Sequence, residues 1–206
     1  EPTESPRTLV DLAFLALYED YVERIDRAYS DLDVYEPGNL LYELAWDVFA
    51  SHYIELVKER AYNSDNRYSV DEQRSAWITL HRILKGILVM LSPIMPFVTD
   101  DIHRRLYGDS VHKQMFPKVE MDRESRERYA SIARKIIEVN KAVWAYKRKN
   151  NIKIREGIGD AVILVPQLLE RAARDLEALH KTPVRVYIEP PANAIKLTED
   201  VYILKA

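Results

Sequence analysis

Residues 92–107 read SPIMPFVTDDIHRRLY. Pro93 and Pro96 stand three apart, directly after an apolar pattern that ends at Leu91. Proline lacks the amide N–H and its ring collides with the preceding turn, so one helix must stop or kink here. A restart follows at once. Thr99 or a neighbour can cap a short helix over about Val98–Leu106, Asp100 and Asp101 suit the positive end of its dipole, and Gly108 fits the residue just past its end. A break with an immediate restart, inside a long apolar sequence, describes a corner between two packed helices.

The pattern extends upstream from that corner. The third helix is expected from Ser69 or Asp71 to Leu91, with Ala76, Trp77, Leu80, Ile83, Leu84, Ile87, Leu88 and Leu91 on one stripe. A loop at Asn63-Ser64-Asp65-Asn66 separates it from a second helix over about Leu40–Tyr62. In that helix Leu41, Leu44, Ala45, Val48, His52, Leu56 and Val57 line one face, and Leu40, Trp46, Phe49, Tyr53 and Ile54 widen it, which predicts contact on more than one side. The first helix is expected to begin with Ser5 as N-cap and Pro6 at its first position. Its stripe is Val10, Phe14, Leu17, Tyr21, Ile25, Ala28 and Leu32, ending before Glu36-Pro37-Gly38-Asn39, which reads as a turn.

Downstream the character changes after Phe116-Pro117. An amphipathic helix is expected over about Asp122–Asn150. AVILV (161–165), a helix over about Pro166–His180, VRVYI (184–188), and short strands near Ile195–Leu197 and Val201–Leu204 then alternate. The period shifts from near 3.6 toward 2. The fold class expected is mainly α: an antiparallel helix bundle over residues 1–117, then a small α+β C-terminal unit over 118–206 with βαβ order at its centre.

Composition narrows the functions open to this chain. It has 206 residues, 47% hydrophobic, enough to bury a substantial core, and a net charge of −3 from 30 basic and 33 acidic residues. A nucleic-acid role must therefore rest on local clusters. There are no cysteines, which removes disulfides, thiolate metal sites and cysteine nucleophiles. No apolar run approaches the ~18–20 residues of a membrane span. The opening EPTESPRTLV does not read as a signal peptide. The expected compartment is the cytoplasm, with no membrane partner.

Few constellations suggest chemistry. Asp100 and Asp101 are adjacent on a helix and diverge by about 100°, so they do not converge on one ion or substrate. Five histidines (52, 81, 103, 112, 180) show no zinc spacing, and His52, on an apolar face, reads as a core residue. Gly157-Ile158-Gly159 lacks the rest of a phosphate loop and reads as a turn. No catalytic set and no metal site is expected. The sharpest local charge is KAVWAYKRKNNIKIR (141–155), where Lys141, Lys147, Arg148, Lys149, Lys153 and Arg155 occur without an acid. Such a run can hold RNA phosphates, with Trp144 and Tyr146 interleaved. It equally describes a solvated helix end, where cations suit the dipole. The tyrosines, among them Tyr42, Tyr53, Tyr62, Tyr68 and Tyr107, are expected to pack on the bundle with hydroxyls reaching water.

Three stretches together resemble the helical anticodon-binding region of class I aminoacyl-tRNA synthetases of the valine, isoleucine and leucine group. They are LYELAWDVFASHYIELVKERAY (41–62), LVMLSPIMPFVTDDIHRRLYG (88–108) and SVHKQMFP (110–117). The second is similar to that family's Leu-rich helix, Pro-x-x-Pro-Phe break and Thr-Glu-Glu-Ile-Trp restart. The likeness covers about residues 8–117 well and the tail more loosely. Tyr53-Ile54-Glu55-Leu56-Val57-Lys58 is most similar to the archaeal-type valine enzymes. His103 stands where the family has Trp, Phe116 replaces the exit Trp, and Asp replaces Glu at 100 and 101.

The resemblance implies a binding piece without catalytic residues. The family's His-Ile-Gly-His and Lys-Met-Ser-Lys-Ser signatures do not occur here, so the chain looks like a C-terminal part of a longer synthetase. It would bind valine-specific tRNA at the anticodon end. ATP and Mg2+ would belong to the catalytic domain, which, with the editing domain of the same parent chain, would be its protein partners. Part of the family's anticodon contacts would lie on a helix upstream of these residues. The equivalent region of an isoleucine enzyme, a helical protein–protein interaction module and a stand-alone enzyme are the alternatives.

Overall fold

The computed structural model describes residues 8–205; the expected cap at Ser5 and Pro6 lies outside the described residues. Helix α1 (Leu9–Ser30) starts one residue after Thr8, whose side chain accepts the Asp11 amide. Val10, Phe14, Leu17, Tyr21, Ile25 and Ala28 are buried as their spacing requires. Leu32 departs from that stripe: it lies past the helix end, at φ +59°, and is 91% exposed.

The next helical stretch begins earlier than its sequence suggests. Helix α2 (Tyr35–Tyr42) includes Pro37 and Gly38 in its opening turns. The Asp33 carboxylate accepts the Tyr35 and Glu36 amides at 2.7 and 3.3 Å, taking over the capping role. Proline so close to a helix start removes an amide that would lack an intrahelical partner anyway. The chain continues without interruption through a π-helical segment (Glu43–Ile54) into α3 (Glu55–Tyr62). Under i→i+5 bonding, residues four and five apart share a face. That brings Leu44, Val48, Phe49, His52 and Tyr53 inward together, and accounts for an apolar surface too broad for one α-helical stripe.

Helix α4 (Val70–Leu91) opens on Ser69 with reciprocal Ser69–Glu72 capping bonds. At the proline corner α5 (Pro96–Tyr107) restarts with Pro96 at its first position and ends on Gly108, at φ +86°. Thr99 lies inside that helix, where its hydroxyl donates to the Met95 carbonyl at 2.8 Å. Asp100 does more than answer the dipole. It accepts Arg104 at 2.7 Å, the Ser110 hydroxyl at 2.5 Å and the Val111 amide at 3.0 Å, so it ties the exit segment back onto α5. The Arg104 bond, with Ser110, holds its carboxyl down at about 2. His103 is buried, with Nδ1 2.8 Å from the Asp109 carbonyl oxygen.

Helix α6 (Arg123–Lys149), capped by Asp122, lies along α1 and carries the chain into the C-terminal unit. There β1 (Ala161–Pro166), a 3-10 turn, α7 (Ala173–His180) and β2 (Val184–Tyr187) form a parallel βαβ unit, and β3 (Ile195–Lys196) and β4 (Tyr202–Lys205) complete a sheet of order β2-β1-β4-β3. β4 runs antiparallel to β1 and to β3. One apolar core extends from Val10 in α1 to Ile203 in β4.

A single buried guanidinium ties the parts together. Arg60 of α3 makes two 2.8 Å bonds to Asp11 of α1, one of 2.9 Å to the Glu72 carbonyl of α4, and 3.2 Å contacts to Asp175 of α7. Tyr53 and Ser75 donate to Asp11 at 2.7 and 2.5 Å. Burial pushes the Asp11 carboxyl up, but Arg60, Ser75 and Tyr53 more than reverse it, and the net shift is downward. Asp175 shares the same cation at longer range, and burial lifts it to about 6.

Removing the guanidinium strands two buried carboxylates, so Arg60→Met is expected to lower unfolding free energy by about 3–5 kcal/mol, read by urea denaturation. The pH dependence has a defined sign. Asp175 binds its proton near 6 in the fold and near 3.8 unfolded, so its contribution to stability rises as pH falls across that window. Asp175→Asn is expected to remove that contribution, so its denaturation midpoints should fall more steeply than those of the wild type as pH drops across the same window.

Candidate nucleic-acid interface

The basic run 141–155 begins on the last turns of α6 and leaves it through Asn150 and Asn151, the latter at φ +54°. Helical phase decides where each cation goes. Ile132, Ile136, Val139, Asn140 and Val143 form the buried stripe of α6, and Lys147 is its next member. Lys147 is therefore fully buried. Its Nζ donates to the carbonyls of Ile154, Glu156 and His180 at 3.1, 2.6 and 2.8 Å, using all three ammonium donors. Burial pushes its pKa down. The structure thus removes Lys147 from the phosphate-binding set: it is a clamp on the turn after α6.

The other five cations are exposed but are not brought together. Lys141 and Lys149 line a groove of about 670 Å³ between α6 and the β3–β4 hairpin. Lys153 pairs with Glu156 at 3.1 Å. Arg155 lines a separate depression of about 590 Å³, where Lys58 and Lys181 sit beside Glu55, Glu59 and Asp65. Arg148 lines neither. The groove gains three cations that the run does not contain, Arg134 on α6 and Lys196 and Lys205 on the hairpin. Arg134 had a readable signal, lying seven residues before Lys141 on the same helix face. Lys196 and Lys205 had none, because only strand pairing places them opposite α6.

The aromatics also divide. Trp144 stacks on His52 with ring centroids 5.1 Å apart and meets His180 edge-on at 6.1 Å, which takes its ring away from a base-stacking role; Tyr146 lines the groove. Asn140 bridges the two histidines, at 3.4 Å from His52 and 3.0 Å from His180. His52 is the core residue its apolar setting suggests. Burial, then the charge of Lys141, pushes His52 down to about 4; burial, then Lys147, pushes His180 down to about 3. Gly157 packs so closely on the Lys181 carbonyl that a Cβ would fall 2.2 Å from it, and Gly159 takes φ +53°, consistent with a turn. Tyr53 and Tyr68 are buried, and the Tyr53 hydroxyl meets Asp11 rather than water. Tyr42 and Tyr62 instead project their rings into solvent, as do Tyr35 and Trp46.

A model of the anticodon-binding domain of tRNA ligases matches residues 11–163. The chain belongs to this anticodon-binding family. The match begins in α1 and ends in β1, so it includes the whole bundle and the α6 wall of the groove. Among curated proteins, the chain is 57% identical over 184 residues to the valine–tRNA ligase of Aeropyrum pernix, covering 89% of this chain and 22% of that protein. It is 41% identical over 182 residues to that of Pyrobaculum aerophilum, covering 88% and 22%. For Methanothrix thermoacetophila the figures are 30% over 200 residues, 94% and 22%. The chain thus spans about a fifth of the length of these relatives. Among the described residues of this family member, no helix is long and apolar enough to cross a membrane.

Two outcomes are expected. Lys147→Met leaves three carbonyls without their donor, so it should lower unfolding free energy by about 1–3 kcal/mol or more, while Arg148→Ala, at an exposed position, should stay within about 0.5 kcal/mol. Thermal or urea unfolding distinguishes them. For pH, His52 and His180 bind protons later in the fold than unfolded, where they titrate near 6.5. Their contribution is lost as pH falls from about 6.5 through 4 and 3. The two histidines, together with Asp11, whose carboxyl is held down, oppose the raised carboxyls of Asp175 and Glu19, so net stability should drop on acidification, and His180→Asn should shallow that drop.

Proposed function

We propose that this chain is the part of a valine–tRNA ligase that holds the anticodon end of valine-specific tRNA. Its task on this reading is position: the anticodon stem and loop dock here so that the acceptor end reaches catalytic and editing domains elsewhere in the parent chain. ATP and Mg2+ chemistry belongs to that catalytic part. The observation that carries the reading is the match of residues 11–163 to the anticodon-binding family together with 57% identity to a valine–tRNA ligase. The relatives quoted above favour valine over isoleucine. Charge geometry supports RNA as the ligand. The protein is net negative, yet it gathers lysines along one groove, where low-dielectric walls focus the field on a polyanion.

Phosphate contacts position a tRNA and base contacts specify it. The expected result is therefore salt-sensitive binding of a tRNA transcript carrying a valine anticodon, tighter than that of the same transcript with the anticodon replaced. Fluorescence anisotropy over a salt series measures both. Salt-insensitive association would favour the protein-interaction alternative, for which Tyr35, Tyr42, Trp46 and Phe97 are among the exposed apolar side chains. Equal affinity for both transcripts would remove anticodon reading from this chain.

A further inference from the structure

We propose that the groove between α6 and the β3–β4 hairpin is the track of the tRNA sugar–phosphate backbone, gripped from two walls by Lys141 and Lys149 on the helix and Lys196 and Lys205 on the hairpin. The proposal rests on the tRNA-binding reading above and deepens it by naming the surface and the part of the RNA it takes.

The first argument is the state of the lysines. Many cations of this protein are already committed. Arg82 pairs with Glu19 and Glu120, Arg126 with Asp20 and Glu23, and Arg134, at one end of the groove, with Asp20 at 2.5 Å. Lys141, Lys149, Lys196 and Lys205 are exposed, and among the described residues their side chains make no ion pair or hydrogen bond. They come from segments far apart in sequence and meet only in the fold. Four unpaired ammonium groups held along one groove repel one another, and a polyanion relieves that repulsion.

The second argument is what else lines the groove. Its one carboxylate, Glu138, is held by Lys135 at 2.9 Å. The remaining surface is largely apolar, with Ala142, Ala145, Ile195 and Leu197. Small residues on α6 leave room for a ribose, and Tyr146 offers a ring face beside it. Lys141 and Lys149 are two helical turns apart, about 12 Å along the axis, so they would meet separate phosphates of a strand following α6. Lysine is a point charge with freely turning donors, without the planar fork that reads a base edge. The grip should therefore be blind to sequence, and anticodon discrimination belongs on another surface of the bundle.

The test uses the 206-residue chain and the two transcripts named above. Lys141→Ala/Lys149→Ala opens one wall and Lys196→Ala/Lys205→Ala the other. Lys113→Ala/Lys118→Ala removes the same charge from exposed positions outside the groove. Each groove pair should lower the salt slope of binding by about 2, one per lost phosphate contact, and weaken both transcripts by the same factor, with melting temperature unchanged and the control pair close to wild type. A wild type that binds tRNA, with groove pairs indistinguishable from the control, overturns the track and leaves the tRNA-binding reading standing. Groove pairs that weaken only the valine-anticodon transcript also overturn it, because they would then act on bases. A wild type that binds neither transcript overturns both proposals.

Discussion

One guanidinium decides how the pieces of this chain sit together. Arg60 has five N–H donors in a fixed plane, and it meets groups from α1, α4 and α7 at once. A buried cation without those partners would be strongly destabilising, so the arrangement that satisfies it excludes alternatives that would shift α1 or α7. The two carboxylates divide the cation unequally. Asp11 takes the bidentate pair plus two hydroxyls, and Asp175 takes longer contacts, which is why one carboxyl falls and the other rises. The bundle and the α+β unit are thereby locked at a defined angle, as a surface shared between α6 and the hairpin requires.

The fold was legible wherever local chemistry alone determines structure. Ser69 and Glu72 mark the start of α4, Pro93 and Pro96 mark the corner, Asp122 marks α6, and the alternation after Ala161 marks the βαβ unit; each signal lies within a few residues of the element it defines. The misreadings share a cause. Pro37-Gly38 reads as a turn until Asp33 is known to cap the preceding amides. The breadth of the second helix's apolar face has no local reason until its middle is known to be π-helical. Arg60 to Asp175 spans 115 positions, and no local pattern announces such a pair.

The site was half legible for a related reason. Counting charge finds the run 141–155 but ignores helical phase. Lys147 falls on the stripe of Ile136 and Val143, and it becomes a buried clamp among carbonyls while Arg148 beside it is solvated. Lys141 and Lys149 lie on another face and reach the groove. Phase was available in the sequence, and applying it would have separated these three. The hairpin lysines required β4 to be registered against β1 and β3 against β4, which is tertiary information.

The groove needs walls that do not drift, and two buried or bridging lysines supply them. Lys135 reaches Glu138 on its own helix at 2.9 Å and Asp200, between β3 and β4, at 2.5 Å. Burial pushes its pKa down, but bonds to Asp200 and Glu138 more than restore it, so it stays charged and staples the hairpin to α6. Lys147 does the same at the far end, holding the turn after α6 and the His180 carbonyl to one ammonium. Both are committed inward, so neither competes for a ligand. The four groove lysines are left unpaired because Arg134, Lys135 and Lys147 on α6 carry the structural contacts. On the proposed reading, preorganised charge of this kind would bind a polyanion without first breaking internal ion pairs, which is how a net-negative protein can present a local site for nucleic acid.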